Sequence, residues 1–206
     1  MMNVENSALF NLEYGVYVVT TDDGTKDNGC IVNTVCQVSS VPLRISVSIN
    51  KNNYTHDIVK ATKKMNLNCL TIDTPFSVFE RFGFASGRDT DKFGKGFDVT
   101  LPRAENGIAY LDKYINSYIS LEVESYVDLD SHGLFICTVS EAKSVSDKES
   151  MSYLYYHANV KPQPVMLSDS KGWRCVVCNY VYEGEVLPPD FVCPLCKHPA
   201  CDFVEM

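Results

Sequence analysis

Two pairs of cysteines near the end of the chain have the spacing of a metal site. Cys175 and Cys178 form one Cys-x-x-Cys pair, and Cys193 and Cys196 form the other. Each pair can turn its backbone so that both thiolates point at one centre, and two such turns supply four sulfur ligands. A tetrathiolate suits zinc or a single iron, and the spacing alone leaves both metals open. Disulfide bonds are the weaker alternative in a chain with the features of an intracellular protein.

The composition predicts a cytoplasmic protein that does not enter a membrane. Hydrophobic residues make up 45% of the chain and charged residues 21%. No apolar run approaches the ~20 residues of a membrane span. The first residues lack the basic and apolar regions of a signal peptide. The cysteines outside the two pairs are therefore expected to be reduced thiols: Cys30, Cys36, Cys69, Cys137 and Cys201.

The net charge of the chain argues against some classes of binding partner. The net charge is −8, and a surface of this sign is a poor partner for nucleic acid or for an anionic membrane. From residue 172 onward, acidic residues also outnumber basic ones. An acidic end suits docking to a basic patch on a protein partner, although solubility alone explains it equally well.

Hydrophobic periodicity predicts mainly β-strands in front of the cysteine pairs. Strand patterns occur at residues 14–20, 30–36, 43–49, 67–72, 115–127 and 134–146. Helical spacing follows residue 53, and Thr74-Pro75 predicts the start of a short helix that ends near Gly83. Residues 151–157 are predicted to form a last strand or a helical turn. Because βα units do not alternate, the pattern favours an antiparallel barrel with short helices.

The sequence contains no Gly-x-Gly-x-x-Gly and no Walker A motif, so the chain carries no Rossmann unit of its own for a nicotinamide. Three polar clusters are candidates for a different site. Residues 28–37 place small and polar side chains on a strand, and residues 48–56 place hydroxyls, amides and a lysine where a helix begins. Residues 86–93 form a loop with arginine, serine and lysine. The last two clusters suit phosphate binding, whereas sheet surface, helix capping and solvation are the ordinary explanations of the three.

Together these clusters resemble the flavin-reductase-like family, which has the FMN-binding split-barrel fold. The resemblance covers about residues 8–165 and depends on Asn33-Thr34 and on residues 48–56, 86–93 and 155–157. It implies FMN at a homodimer interface. The implied contacts of the flavin ring are Cys30, Val32, Asn33 and Thr34, with His157 near the ring. The implied contacts of the ribityl chain and phosphate are Ser48, Asn50, Lys51, Tyr54, Thr55, Ser86, Arg88 and Lys92.

The terminal stretch is similar to rubredoxin, a mononuclear iron protein. Its expected aromatic core consists of Trp173, Tyr180, Tyr182, Phe191 and Phe203. Asn179 and Lys197 depart from the glycines that rubredoxins often have after each cysteine pair, at a modest cost of ~1 kcal/mol for a lysine in a left-handed conformation. Backbone N–H groups of Val177, Asn179, Tyr180, Leu195 and Lys197 are expected to point at the sulfurs. The aromatic core and the flavin-type neighbour favour iron, with zinc as a substitute.

The whole chain resembles the high-molecular-weight rubredoxins. This implies a flavin domain at residues 1–160, a linker at 161–171 and a rubredoxin-like domain at 172–206. The implied enzyme is an NAD(P)H:rubredoxin or flavin oxidoreductase that moves a hydride onto FMN and single electrons onto iron. The implied acceptor is a redox protein such as a flavodiiron oxygen or nitric oxide reductase. One alternative is a flavin reductase with a structural zinc ribbon. The other is a flavin electron carrier that is reduced by another reductase and does not react with a nicotinamide itself.

Overall fold

The computed structural model describes Ala8 and residues 11–94, 101–162, 172–176, 180–194 and 199–206. Seven antiparallel strands form one sheet in the order β2-β1-β5-β6-β7-β4-β3. The strands are β1 (Tyr17–Asp22), β2 (Asp27–Val32), β3 (Val35–Ser40), β4 (Leu43–Asn50), β5 (Lys64–Leu70), β6 (Ile115–Leu129) and β7 (His132–Ser144). The mainly antiparallel fold predicted from periodicity is confirmed.

The sheet curls around a core that joins its two ends. In β4 the side chains of Ile45, Val47 and Ile49 are buried, while the intervening residues are half-buried, as a period of two predicts. These side chains share one cluster with Cys30 and Val32 of the edge strand β2. Because residues from opposite ends of the sheet meet in one core, the sheet has the form of a partly open barrel.

A second core covers the outer face of the barrel. Val18 alternates with Val19 along β1 and joins this second core, together with Phe79, Phe82 and Tyr156. The helical segments are α1 (Tyr54–Thr62), α2 (Phe76–Phe79), a π-helix at Glu80–Phe84, α3 (Tyr153–Tyr155) and a second π-helix at Tyr156–Val160. Aromatic residues at helical spacing therefore bury one side of α2 and its π-helical extension against the sheet.

The structure differs from the sequence-based expectations at several element ends. The strand expected at residues 30–36 is two strands, because the chain turns at Asn33 and Thr34 and crosses from one edge of the sheet to the other. Ser48 N–H donates to the Thr34 carbonyl at 3.0 Å across this turn. Thr74 does not cap α2; its Oγ1 donates to the Thr71 carbonyl, and Pro75 takes the cap position. The helical segment ends at Phe84, close to the predicted end, but its second half is a π-helix.

The terminal stretch forms a small three-stranded sheet in the order β10-β8-β9. Its strands are β8 (Trp173–Cys175), β9 (Val181–Tyr182) and β10 (Phe203–Glu205), and a 3-10 turn at Ala200–Asp202 precedes the last strand. Phe203 is buried between Cys175 and Cys193 and the surrounding aromatic side chains. Among the described residues, none of the helices has the length and apolar character needed to span a membrane.

Candidate functional site

A cleft of about 470 Å³ opens beside the barrel where β2, β4, the start of α1 and the first π-helix meet. Its volume lies in the range of small-molecule and cofactor sites. One part of the lining is apolar, with Ile31, Phe79 and Tyr156, and another part is polar, with hydroxyl, amide and guanidinium groups. The cleft therefore combines a surface on which a flat ring can pack with a surface that can hold a charged chain.

The structure brings eight of the thirteen predicted flavin contacts to this cleft. They come from the three separate polar clusters of the sequence. The eight are Val32, Asn33, Thr34, Ser48, Asn50, Tyr54, Ser86 and Arg88. The link after β2 and the end of β4 lie side by side because Ser48 N–H donates to the Thr34 carbonyl.

The polar part of the cleft lies at the N-terminus of α1. Asn53 is the N-cap, and its side chain makes no capping hydrogen bond. The first N–H groups of a helix carry partial positive charge and favour an anion in that position. Arg88 lies beside them: its guanidinium is 5.0 Å from the centre of the Tyr54 ring and donates to Asp57 at 2.6 Å. The arrangement suits a phosphate group.

Tyr54 is held in place by charged neighbours on both sides. Its hydroxyl donates to Asp23 at 3.2 Å, and this hydrogen bond raises the pKa of the phenol. Lys26 places its Nζ 5.6 Å from the centre of the same ring and donates to the Gly87 carbonyl at 2.9 Å. The ring of Tyr54 thus connects the start of α1 to the turn that contains Arg88.

Gly87 allows this turn to approach β2 closely. A Cβ atom at position 87 would lie 2.3 Å from Oδ1 of Asn28, so a larger residue would push the turn away. Asn28 is 2% exposed, and its Nδ2 is a buried side-chain nitrogen without a hydrogen-bond partner in the described part of the chain. A buried donor of this kind is costly when it stays unsatisfied. Asn28 is thus a buried polar residue directly behind Gly87, which lines the cleft.

Four predicted flavin contacts lie outside the lining: three are buried, and the fourth is in a surface ion pair. Cys30 is in the barrel core, where burial raises the pKa of its thiol. Thr55 is 1% exposed. Lys51 pairs with Asp128 at 2.8 Å on the barrel surface. Lys92 is 3% exposed and donates to the carbonyl of Gly29 at 2.8 Å.

His157 is the fifth predicted contact outside the lining. It is half-buried, and its ring meets those of Tyr153 at 4.5 Å and Tyr156 at 5.3 Å between centres. Burial, and then the positive charge of Lys161, lower the pKa of His157 to about 4. The two tyrosines themselves line the cleft. His157 therefore stands behind the aromatic wall of the cleft as a neutral side chain near pH 7.

Sequence reasoning missed several lining residues. Tyr156 was within reach, because residues 155–157 were part of the family resemblance and a helical turn was one of the two predictions for residues 151–157. Tyr153 lies outside the residues of that resemblance. Asn52 and Asn53 lay inside a recognised cluster. His132 gave no signal, because it comes to the cleft only through the pairing of β7 with β4.

Within the part of the chain that the structure describes, the candidate metal centre contains one cysteine from each pair. Cys175 and Cys193 are both fully buried and share one cluster with Phe203. Cys175 N–H donates to the Tyr180 carbonyl at 2.8 Å. Cys178 and Cys196 lie outside the described residues, as do the expected backbone donors Val177, Asn179, Leu195 and Lys197.

An aromatic shell surrounds the two described cysteines. The ring of Phe191 is 4.8 Å from that of Tyr182 and 5.4 Å from that of Phe203, measured between centres. Trp173 and Tyr180 pack against the same cluster. Cys201, by contrast, is exposed on the 3-10 turn. Buried thiols in a dry aromatic shell fit the sulfur ligands of a tetrathiolate iron, whose potential depends on such shielding.

Comparison with known proteins identifies both parts of the chain. Residues 9–163 match the flavin reductase like domain, and residues 173–204 match the rubrerythrin, rubredoxin-like domain. Flavin, iron and a nicotinamide donor are the cofactors of these two families. They agree with the chemistry of the cleft and of the buried cysteine cluster.

Similar proteins cover nearly the whole chain. A high molecular weight rubredoxin from Moorella thermoacetica is 34% identical over 94% of this chain and 96% of its own length. A ferric-chelate reductase (NAD(P)H) from Archaeoglobus fulgidus is 31% identical over 76% of this chain and 89% of its own.

A solved structure supports the fold of the first part. The NADH:FAD oxidoreductase SgcE6 of Streptomyces globisporus superposes with a TM-score of 0.61 at 18% identity, over 71% of this chain and 85% of that one. The two domain matches and the similarity over nearly the whole chain show that the chain belongs to the high-molecular-weight rubredoxin family of oxidoreductases, in which a flavin reductase-like domain is followed by a rubredoxin-like domain.

Proposed function

We propose that this chain takes electrons from NAD(P)H at a bound FMN and passes them singly, through a tetracysteine iron site, to a protein acceptor. When bound, FMN accepts a two-electron donor and the iron accepts one electron at a time, so the pair supplies single electrons. The observation that carries the proposal is that one chain contains both the cleft beside the barrel and the buried cluster of Cys175 and Cys193.

The chain's own residues would bind FMN from two sides. The flavin ring would contact Val32, Asn33, Thr34 and the aromatic side chains that line the cleft. The ribityl chain and phosphate would contact Ser48, Asn50, Tyr54, Ser86 and Arg88, and the backbone N–H of Thr55 in the first turn of α1. The other residues named from the resemblance would act indirectly, by fixing the walls of the cleft: Cys30, Lys51, Lys92 and His157.

The iron ligands proposed are Cys175, Cys178, Cys193 and Cys196. Burial of the two described cysteines supports a shielded site, and their place in one cluster supports one centre shared by both pairs. The proposed division of the chain is a flavin domain at residues 1–160, a linker at 161–171 and the iron domain at 172–206.

The proposed assembly is a cytoplasmic homodimer. Its support is an exposed apolar region around the edge strand β3, where Val38 is 51%, Val41 90% and Leu43 42% exposed. An unpaired strand edge with apolar side chains is suited to another protein surface.

The acidic terminal domain suits a basic protein acceptor, and a flavodiiron oxygen or nitric oxide reductase is the acceptor proposed.

An anaerobic absorbance titration of the purified protein tests this function. Stepwise addition of NADH, and separately of NADPH, should bleach the flavin bands and then the charge-transfer bands of a ferric tetrathiolate. Persistence of the iron bands after flavin reduction would refute the relay. Negligible oxidation of both nicotinamides would instead indicate a flavin carrier that is reduced by another protein.

Metal analysis of protein produced with ample iron provides the second test. One iron per chain is expected, with little zinc. Stoichiometric zinc under these conditions, with NAD(P)H oxidation intact, would make the terminal domain a structural ribbon attached to a flavin reductase.

A further inference from the structure

Lys161 connects the flavin domain to the first cysteine pair. Its Nζ donates to the carbonyl oxygen of Val176 at 2.7 Å, and the residue is only 7% exposed. Val176 follows Cys175 directly and lies inside the first Cys-x-x-Cys turn. A buried lysine is therefore placed at the backbone of the metal-binding loop itself.

The same lysine is joined to the wall of the flavin cleft. Its backbone N–H donates to the carbonyl of Tyr156 at 2.8 Å and so ends the second π-helix. Tyr156 stacks on Phe79 with ring centres 4.3 Å apart, and both side chains line the cleft. One short segment, residues 156–161, thus contacts the cleft at one end and the cysteine loop at the other.

We propose that Lys161 is a positioning residue that docks the first cysteine pair onto the flavin domain of its own chain, with residues 156–161 as the connection between the two sites. This inference rests on the proposed function. Each NAD(P)H supplies two electrons, and the single iron of the chain would take them one after the other, with the protein acceptor reoxidising it in between. NAD(P)⁺ and one proton are formed, and two one-electron equivalents reach the acceptor.

The charge of Lys161 adds an electrostatic reason for the docking. A tetrathiolate carries one negative charge with ferric iron and two with ferrous iron, so a nearby cation stabilises the reduced form more. His157 lies within the same segment, and because its pKa is lowered to about 4 its ring is neutral near pH 7 and does not repel Lys161. The lysine should therefore raise the reduction potential of the iron as well as fix its position.

The test compares the full-length chain with Lys161→Met and Lys161→Arg. Lys64→Met is the matched control, because Lys64 is an exposed lysine on β5. After flavin reduction in a stopped-flow experiment, the bleaching of the ferric bands should slow about tenfold in Lys161→Met, since a hydrogen bond to a charged donor is lost. The rate of flavin reduction by NAD(P)H should stay unchanged. Lys161→Arg should keep part of the rate of ferric bleaching. Lys64→Met should bleach at the rate of the unmodified protein.

Two further readouts do not depend on turnover. The midpoint potential of the iron should be lower in Lys161→Met than in Lys64→Met. Trp173 is the single tryptophan of the chain and lies in the terminal domain, so its fluorescence anisotropy decay reports the motion of that domain in zinc-loaded protein. Lys161→Met should add a fast component to this decay, and Lys64→Met should not.

The outcomes separate this proposal from the proposed function. An unchanged anisotropy decay together with an unchanged rate of iron reduction in Lys161→Met would overturn the docking role. Iron reduction whose rate rises in proportion to protein concentration would overturn it as well, because the transfer would then occur between molecules. If the iron of the unmodified protein is never reduced through the flavin, the proposed function itself fails, whatever Lys161 does to the anisotropy.

Discussion

The Nζ of Lys92 lies 2.8 Å from the carbonyl oxygen of Gly29 and 3.3 Å from that of Phe82, and the lysine is 3% exposed. Gly29 is on β2 and Phe82 is in the first π-helix, so one side chain joins two walls of the cleft. Burial lowers the pKa of this amine, and the nearby thiol of Cys30 opposes the shift. Lys92 was expected to contact a phosphate. In the structure its amine instead joins β2 to the first π-helix inside the protein.

Replacement of Lys92 by Met should reduce the stability of the flavin domain. Two buried carbonyl groups would lose their donor, at a cost of about 1–3 kcal/mol in the free energy of unfolding. Urea denaturation measures this loss, and Lys64→Met, at an exposed site, should change stability by less than about 0.5 kcal/mol. If Lys92→Met kept full stability but bound FMN weakly, the lysine would have to act on the phosphate directly.

Two adjacent lysines at the end of α1 predict opposite effects of glycine. Lys63 is the C-cap with φ of 63°, and its N–H donates to the Val59 carbonyl. A side chain in this left-handed region is strained, so Lys63→Gly should stabilise the protein by about 0.5–1 kcal/mol. Lys64 begins β5, where glycine weakens a strand, so Lys64→Gly should destabilise. Thermal unfolding of both variants checks the pair, and a shift in the same direction would contradict it.

The phosphate site can be tested by comparing two flavins. Arg88→Ala should weaken FMN binding by roughly tenfold, since a charge-assisted hydrogen bond to phosphate is removed. Riboflavin has no phosphate, so its affinity should change little. Arg44→Ala is the control, because Arg44 pairs with Glu124 on the barrel and is not part of the lining. Fluorescence titration measures both affinities. Equal losses of affinity for FMN and riboflavin would show that Arg88 does not contact the phosphate.

The sequence predicted the parts of this protein that depend on local pattern. Alternation in β4 depends only on neighbouring residues, and it was predicted correctly. The cysteine spacing predicted a metal-binding terminal domain, in agreement with the rubredoxin-like match of residues 173–204, while the individual ligands stay predictions. The turn at Asn33 and Thr34 was missed because each flanking stretch has strand propensity, and only the curl of the sheet separates them. The partner of Lys92 was also beyond reach, since Gly29 lies 63 residues away in the chain. Contacts of this kind are decided by tertiary packing.

The cysteine cluster predicts independent loss of the two cofactors. Cys175→Ser should abolish the ferric charge-transfer bands and loosen the terminal domain, because metal binding and folding are coupled in so small a core. FMN content should stay the same. Cys201→Ser removes an exposed thiol from the same domain and should keep the iron. Iron and flavin analysis with absorbance spectra measures these effects. Retention of normal iron bands in Cys175→Ser would exclude this cysteine as a ligand.

His157 predicts a stability that depends on pH in a defined window. Its pKa is lowered from 6.5 to about 4 in the folded protein, first by burial and then by Lys161. Between these two values the unfolded chain binds the extra proton more readily, so stability falls as the pH falls.

In His157→Gln this contribution is absent. The difference in unfolding free energy between the unmodified protein and His157→Gln should therefore shift in favour of the variant as pH decreases from about 6.5 to 4. Urea unfolding at several pH values measures this difference, and the NMR titration of His157 gives its pKa directly. A constant difference across the window, or a titration near 6.5, would mean that the ring is accessible to solvent and does not stand behind the aromatic wall of the cleft.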